Sequence, residues 1–371
     1  MTPSSTLTVD LLNYSLNLKK IQEKLPPGCE IMAVVKANAY GLGAVPIAKR
    51  AVDSGAAILG VASVTEGAEL RDADIAAPIL VLVQPHENDL ADAVHYKLRL
   101  TLSDLRTGEL LGQVASKARA VAAVHCEIDT GMGRQGMDFE EAPTVIHDLT
   151  RISNIDIEGI FSHLPSADIL DDAFTEGQIR SLRQLLKRLD KDGVPYESAH
   201  IANSAAVFNY PQSHFDMVRV GLFSYGVWPG DTPPAEDAPE SVVSWETNIV
   251  LIRDMPRGAS VSYRRTYRAP GPTKIAALPV GYADGYRVSL SNLAEVLVRG
   301  RRCPVRGRVT MNEMLIDVTD VPEVAVGDKV TLIGRDDSET ITVEELAERA
   351  DTIPYEILTG IGPAVARQYK V

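Results

Sequence analysis

Residues 31–43 read I-M-A-V-V-K-A-N-A-Y-G-L-G. The unbroken apolar run Ile31–Val35 has the character of a strand covered on both faces, and Lys36 closes it. Small residues, Tyr40 and two glycines then turn the chain. Seven further runs of similar type follow: Ala57–Ala62, Ile79–Val83, Leu98–Leu102, Val121–Ile128, Ile155–Ser162, Ser198–Ala202 and Met217–Leu222. Amphipathic stretches such as Val45–Asp53, Asp104–Lys117 and Glu176–Lys191 lie between them. This alternation over residues 1–233 predicts an α/β fold, a closed (β/α)8 barrel of TIM type; a doubly wound open sheet has similar element counts.

The texture changes at Trp228–Pro239, where prolines and acids suit a surface linker. Residues 240–371 read as a mainly-β second domain. Its runs are Ser241–Ile252, Ala259–Tyr263, Lys274–Val280, Ala294–Val298, Pro304–Val309, Met314–Val318 and Lys329–Ile333, with one helix at Val343–Arg349 capped by Thr342.

Composition narrows the function. A net charge of −13 disfavours a nucleic-acid surface. No apolar run approaches the roughly 18 residues of a membrane span, and the N-terminus lacks a secretory layout, so a cytoplasmic protein with no membrane partner is expected. Cys29, Cys126 and Cys303 have neither metal nor disulfide spacing and read as buried free thiols; no metal site is expected.

The chemistry begins at Lys36. A barrel builds its active site at the C-terminal ends of its strands, and a lysine there can lose its proton to burial and act as a free amine. In isolation such a lysine is more often a snorkelling surface residue. The segment A-V-V-K-A-N-A-Y-G-L-G, however, resembles the cofactor-lysine motif of the alanine racemases, enzymes that use pyridoxal 5'-phosphate. The resemblance continues in order through I-D-T-G-M-G-R (Ile128–Arg134), G-I-F-S-H (Gly159–His163), H-I-A-N-S-A (His200–Ala205), M-V-R-V-G-L (Met217–Leu222), A-S-V-S-Y-R-R-T-Y (Ala259–Tyr267), G-Y-A-D-G-Y (Gly281–Tyr286) and T-M-N-E (Thr310–Glu313).

The resemblance implies the following roles. Lys36 forms the Schiff base with the cofactor, Tyr40 bonds its phosphate, and His163 stacks on its ring. Ser204 and the backbone of Gly221 and Leu222 complete the phosphate site. Arg219 faces the pyridine nitrogen and, as a permanent cation, keeps it unprotonated. Arg134 receives the substrate carboxylate, with Glu127 behind it where familiar members carry a carbamylated lysine. In the second domain Tyr263 is the second base, Tyr282 gates the entrance, and the Met311 amide holds the carboxylate. Asn312 stands where an aspartate is common. Pro363 stands at the position of a phosphate-contacting tyrosine of some members, so that contact is expected to be absent. The implied reaction interconverts L- and D-alanine by two opposed bases and supplies D-alanine for the cell wall; a serine or broad-specificity racemase on the same scaffold is the alternative. Family members are homodimers that share each active site, so Tyr263 is expected to act in trans.

Overall fold

The computed structural model describes residues 3–230 and 234–371. The 233 boundary and the central part of the expected linker, residues 231–233, lie outside the described residues. Eight parallel strands, Glu30–Val34, Ile58–Val61, Ile79–Val81, Arg99–Leu102, Ala122–Asp129, Ile155–Phe161, Ser198–His200 and Met217–Val220, each pair with the next. The last pairs with the first, Val218 opposite Ile31, which closes the barrel and excludes the open sheet. Each strand coincides with one of the apolar runs, overrunning it by one residue only at Glu30 and at Asp129, as strands buried on both faces require. The helices show their polarity equally directly: Asp104 caps Leu105–Ala118 by accepting from the Thr107 N–H at 2.7 Å, and Asp172 caps Ala173–Lys191.

The barrel interior is divided. Met32, Ile58, Leu80 and Met217 form an apolar cluster on one side. His125, Phe161, His200 and Arg219 are buried on the other.

The second domain is mainly β, but its central sheet recruits the start of the chain. Ser5–Asp10, inside the range read as barrel, pairs antiparallel with Val243–Asn248 and parallel with Ala366–Lys370. The run Ser241–Ile252 is two strands, Val243–Asn248 and Leu251–Met255, in different sheets. The run Pro304–Val309 is displaced: the strand is Arg301–Pro304, paired with Glu295–Val298. Helix Val343–Arg349 is capped by Thr342, which accepts from the Glu345 N–H at 3.0 Å. A second helix, Pro354–Gly360, opens with proline at a first-turn position, where no N–H is needed.

All three cysteines are buried and free. Among the described residues no helix is long and apolar enough to cross a membrane, and no cluster of His, Cys, Asp and Glu could hold a metal.

Candidate active site

The segment after the first barrel strand has an unusual shape. Ala37, Asn38, Ala39 and Tyr40 all have φ between 51° and 56°, a left-handed turn costing roughly 1–2 kcal/mol for each non-glycine residue. Several contacts hold it. The Ala39 N–H donates to Val35 O (2.9 Å), Gly41 N–H to Ala37 O (2.8 Å) and Gly43 N–H to Asn38 O (2.9 Å). The Glu66 carboxylate accepts from the N–H of Ala37 and of Ala62, 2.7 Å each, tying the residue after Lys36 to the end of the second strand. From the second domain, Arg367 Nη2 donates to Gly41 O at 3.0 Å and the Tyr369 hydroxyl to Leu42 O at 3.0 Å. Gly43 has to be glycine: its φ is 110°, and a Cβ there would lie 1.9 Å from the Tyr369 hydroxyl.

Lys36 thereby enters a cavity of about 400 Å³ at the C-terminal mouth of the barrel. Every barrel residue singled out in the sequence lines it: Tyr40, Glu127, Arg134, His163, Ser204, Arg219, Gly221 and Leu222. Burial lowers the Lys36 pKa first, and the positive charges of Arg134 and Arg219 lower it further, partly offset by Glu66. Arg219 is 5% exposed. Burial brings its pKa down to about 10, so it stays charged at neutral pH. Its partners are neutral: Nη1 bonds His200 Nδ1 at 2.8 Å, and Nη2 bonds Ser162 O at 2.8 Å and His163 Nδ1 at 3.0 Å. Its Nε–H has no acceptor among the described residues. A guanidinium only donates, so His163 accepts at Nδ1 and is neutral. Burial and the nearby cations hold its pKa at about 3.

At the other end of the cavity, Ser204 begins a short helix capped by Asn203, and its Oγ accepts from the Gly221 N–H at 3.0 Å. A Cβ on Gly221 would lie 2.3 Å from the Tyr40 hydroxyl, so glycine makes room for it. Burial raises the Tyr40 pKa, leaving the phenol a donor.

Gln135 in this wall carried no signal in the sequence reading. Glu127, 3% exposed, accepts a hydrogen bond from Gln135 Nε2, which also donates to Leu82 O at 2.9 Å. Glu127 and Arg134 share no hydrogen bond among the described residues; burial raises the Glu127 pKa, and the Gln135 hydrogen bond and the charges of Arg219 and Arg134 offset this in part. The expectation at the C-terminus also needs correction. Pro363 does not line the cavity, whereas Tyr355, from helix Pro354–Gly360, does, with its ring centroid 5.8 Å from that of Tyr40. The proline at the start of I-P-Y-E-I-L-T-G was the available signal.

Tyr263, Tyr282, Met311 and Asn312 line a separate cavity on the second domain. Tyr263 lies in a turn rather than on a strand, between the left-handed residues Ser262 (φ 61°) and Arg264 (φ 60°), and is 70% exposed. Ala283 N–H donates to Met311 O at 2.9 Å, while the Met311 N–H has no acceptor among the described residues. Within one chain, then, the expected residues fall into two groups.

Residues 9–229 match the alanine racemase N-terminal domain and residues 242–369 the C-terminal domain. The chain is 42% identical to the alanine racemase of Halothermothrix orenii over 364 residues, 98% of this chain and 96% of that one. Its structure is similar to that of the alanine racemase of Clostridium difficile 630, with TM-score 0.95, 32% identity, and coverage of 100% of this chain and 96% of that one. It is also similar to the alanine racemase of Bartonella henselae with covalently bound pyridoxal phosphate, with TM-score 0.89, 28% identity and full coverage of both chains.

Proposed function

Because the chain belongs to the alanine racemase family of isomerases, we propose that it interconverts L- and D-alanine with pyridoxal 5'-phosphate held at Lys36. One observation carries this reading: Lys36 shares a cavity with a buried Arg219 whose partners are all neutral. The donor set fits the cofactor. The hydroxyls of Tyr40, Ser204 and Tyr355 and the Leu222 amide beside Gly221 suit the phosphate, and a Gly221 Cβ would crowd the Tyr40 hydroxyl. The Lys36 amine suits an aldehyde, and the free Arg219 Nε–H suits a ring nitrogen. When bound, pyridoxal phosphate supplies an aldehyde that captures the amino acid and a ring that draws charge from its α-carbon.

The residues then divide the work. Lys36, its pKa lowered, accepts or returns a proton at the α-carbon from one face. Arg219 cannot give up its proton at neutral pH, so it would leave a ring nitrogen held against it unprotonated and would thereby limit how much charge the ring draws. Arg134 at the rim receives the substrate carboxylate, and Glu127, fixed by Gln135, balances the charge of Arg134 and Arg219. The second base is Tyr263 of another copy. The separation of its cavity from that of Lys36 supports a homodimer in which one chain's β domain closes the other's barrel, with Met311 N–H turned to the substrate carboxylate and Tyr282 at the entrance. D-Alanine for cell wall made in the cytoplasm is the corresponding biological role. Asn312, which removes a charge beside Tyr263, favours a range that extends to other small amino acids.

The purified protein is expected to bind pyridoxal phosphate, to be fixed to it at Lys36 by borohydride, and to racemise alanine. Tyr263→Ala should suppress deuterium exchange into L-alanine far more than into D-alanine. Absence of cofactor binding after reconstitution, or equal losses on both enantiomers, would overturn the reading.

A further inference from the structure

The polar side of the barrel interior contains a chain of contacts that the proposed reaction does not use. Arg219 Nη1 lies 2.8 Å from His200 Nδ1, and His200 Nε2 lies 2.9 Å from His125 Nδ1. His200 is 0% and His125 2% exposed. Only one arrangement of protons satisfies this chain. The guanidinium donates, so His200 accepts at Nδ1 and carries its proton on Nε2. His125 must then accept at Nδ1 and carry its own proton on Nε2. Both rings are neutral and both tautomers are fixed.

The surrounding strands are adapted to this column. The register between the fifth and sixth barrel strands shifts between Val124 and His125. Opposite, Gly159 is extended and needs no special backbone freedom, but a Cβ there would lie 2.2 Å from His125 Nδ1. The Phe161 ring stacks on His200 at 4.8 Å and 12°, with the Arg219 guanidinium 5.2 Å from the same ring. Below, His125 forms part of the wall of the cavity at the N-terminal mouth, beside the ion pair of Arg99 and Glu158.

We propose that His125 is a positioning residue for Arg219, acting through His200 from the far side of the barrel. With an acceptor at His125 Nδ1, the His200 Nε2–H is satisfied and the ring is held with its bare Nδ1 toward Arg219. Without it, the His200 Nε2 proton is buried and unpartnered, and the ring gains by turning to reach another acceptor, which carries Nδ1 off the guanidinium. Arg219 then shifts from the nitrogen it faces. This rests on the proposed pyridoxal-phosphate reaction, but its first readout does not.

The experiment compares His125→Asn, whose amide oxygen can stand where Nδ1 stands, with His125→Gln, which is one methylene too long, and His125→Phe, which has no acceptor. Imidazole 15N–1H spectra of the protein freed of cofactor should show the His200 Nε2–H at the low-field proton position of a hydrogen-bonded imidazole in the unaltered chain and in His125→Asn. In His125→Gln and His125→Phe that proton signal should move upfield or be lost to exchange. In the loaded enzyme, His125→Gln and His125→Phe should lower kcat about 10-fold or more with KM for alanine changed less than about 2-fold, and alter the visible band of the bound cofactor; His125→Asn should stay within about 3-fold. A His200 Nε2–H signal indifferent to His125→Gln and His125→Phe, or His125→Asn as impaired as His125→Gln, would overturn the proposal. The Asn and Gln comparison stands even if the Phe variant does not fold. If the His200 Nε2–H signal responds while the unaltered chain binds no cofactor, the fault lies in the proposed reaction and not in the column.

Discussion

The two mouths of the barrel differ in charge more than in size. The N-terminal mouth has the larger cavity, about 470 Å³ against about 400 Å³. It is lined by four carboxylates, Glu30, Glu158, Glu197 and Asp216, and one cation, Arg99, already paired with Glu158. The C-terminal mouth reverses the balance, with Lys36, Arg134 and Arg219 against Glu127 alone. Volume therefore does not identify the site. Cations that lack carboxylate partners inside a cavity do, because their desolvation is left for an anionic ligand to offset. A phosphate and a substrate carboxylate are ligands of that kind.

The contrast can be tested from either mouth. The largest effect is expected from Glu66→Gln. The Ala37 and Ala62 N–H groups bond different oxygens of the carboxylate, and glutamine would turn its NH2 donor against one of them, so the turn after Lys36 should loosen and kcat fall about 10–100-fold. An unchanged kcat would show that the left-handed turn holds Lys36 without this clamp.

A smaller effect is expected in acid. His125 and His163 have pKa values brought down to about 3 from 6.5, by burial first and then by neighbouring cations, and His200 is shifted in the same direction. The unfolded chain takes up these protons below pH 6.5 and the folded chain does not, so their contribution to stability is complete above pH 6.5 and declines toward pH 3. Urea midpoints measured between pH 7 and pH 4 should fall with pH, and less so in His125→Asn. The same slope in both proteins would remove His125 from the account.

The smallest effect belongs to the N-terminal mouth. Replacing Arg99 and Glu158 together by alanine removes a partly exposed pair and should cost about 1 kcal/mol or less, with kcat changed less than about 3-fold. A 10-fold loss in the racemisation assay would erase the functional distinction between the mouths.

The barrel was legible because its signal is local: a strand covered on both faces must be apolar throughout, and Val218 opposite Ile31 only completes what eight such runs imply. Ser5–Asp10 was not legible. Its partners, Val243–Asn248 and Ala366–Lys370, are hundreds of residues away, and its burial merely alternates. The site divides along the same line. Lys36, Arg134, His163 and Arg219 sit at strand ends or in the loops that follow, inside recognisable motifs. Gln135 and Glu66 act through hydrogen bonds to residues that nothing nearby in sequence announces. The left-handed turn was hidden for a different reason: of its four residues only Asn38 has any local preference for that conformation, and the shape is imposed by contacts. Tyr355 was within reach, had Pro354 been read as the start of a helix.

Those contacts also tie the lysine to the order of synthesis. Arg367 and Tyr369 leave the ribosome after every barrel strand, and they grip Gly41 and Leu42 from the strand that also pairs with Ser5–Asp10. A chain stopped short of Ala366 would contain all eight barrel strands, yet lack this support for the turn that aims Lys36. The strand Ala366–Lys370 thus works as a completion mark: it pairs with Ser5–Asp10 and fastens the turn after Lys36 from a part of the chain made after the whole barrel.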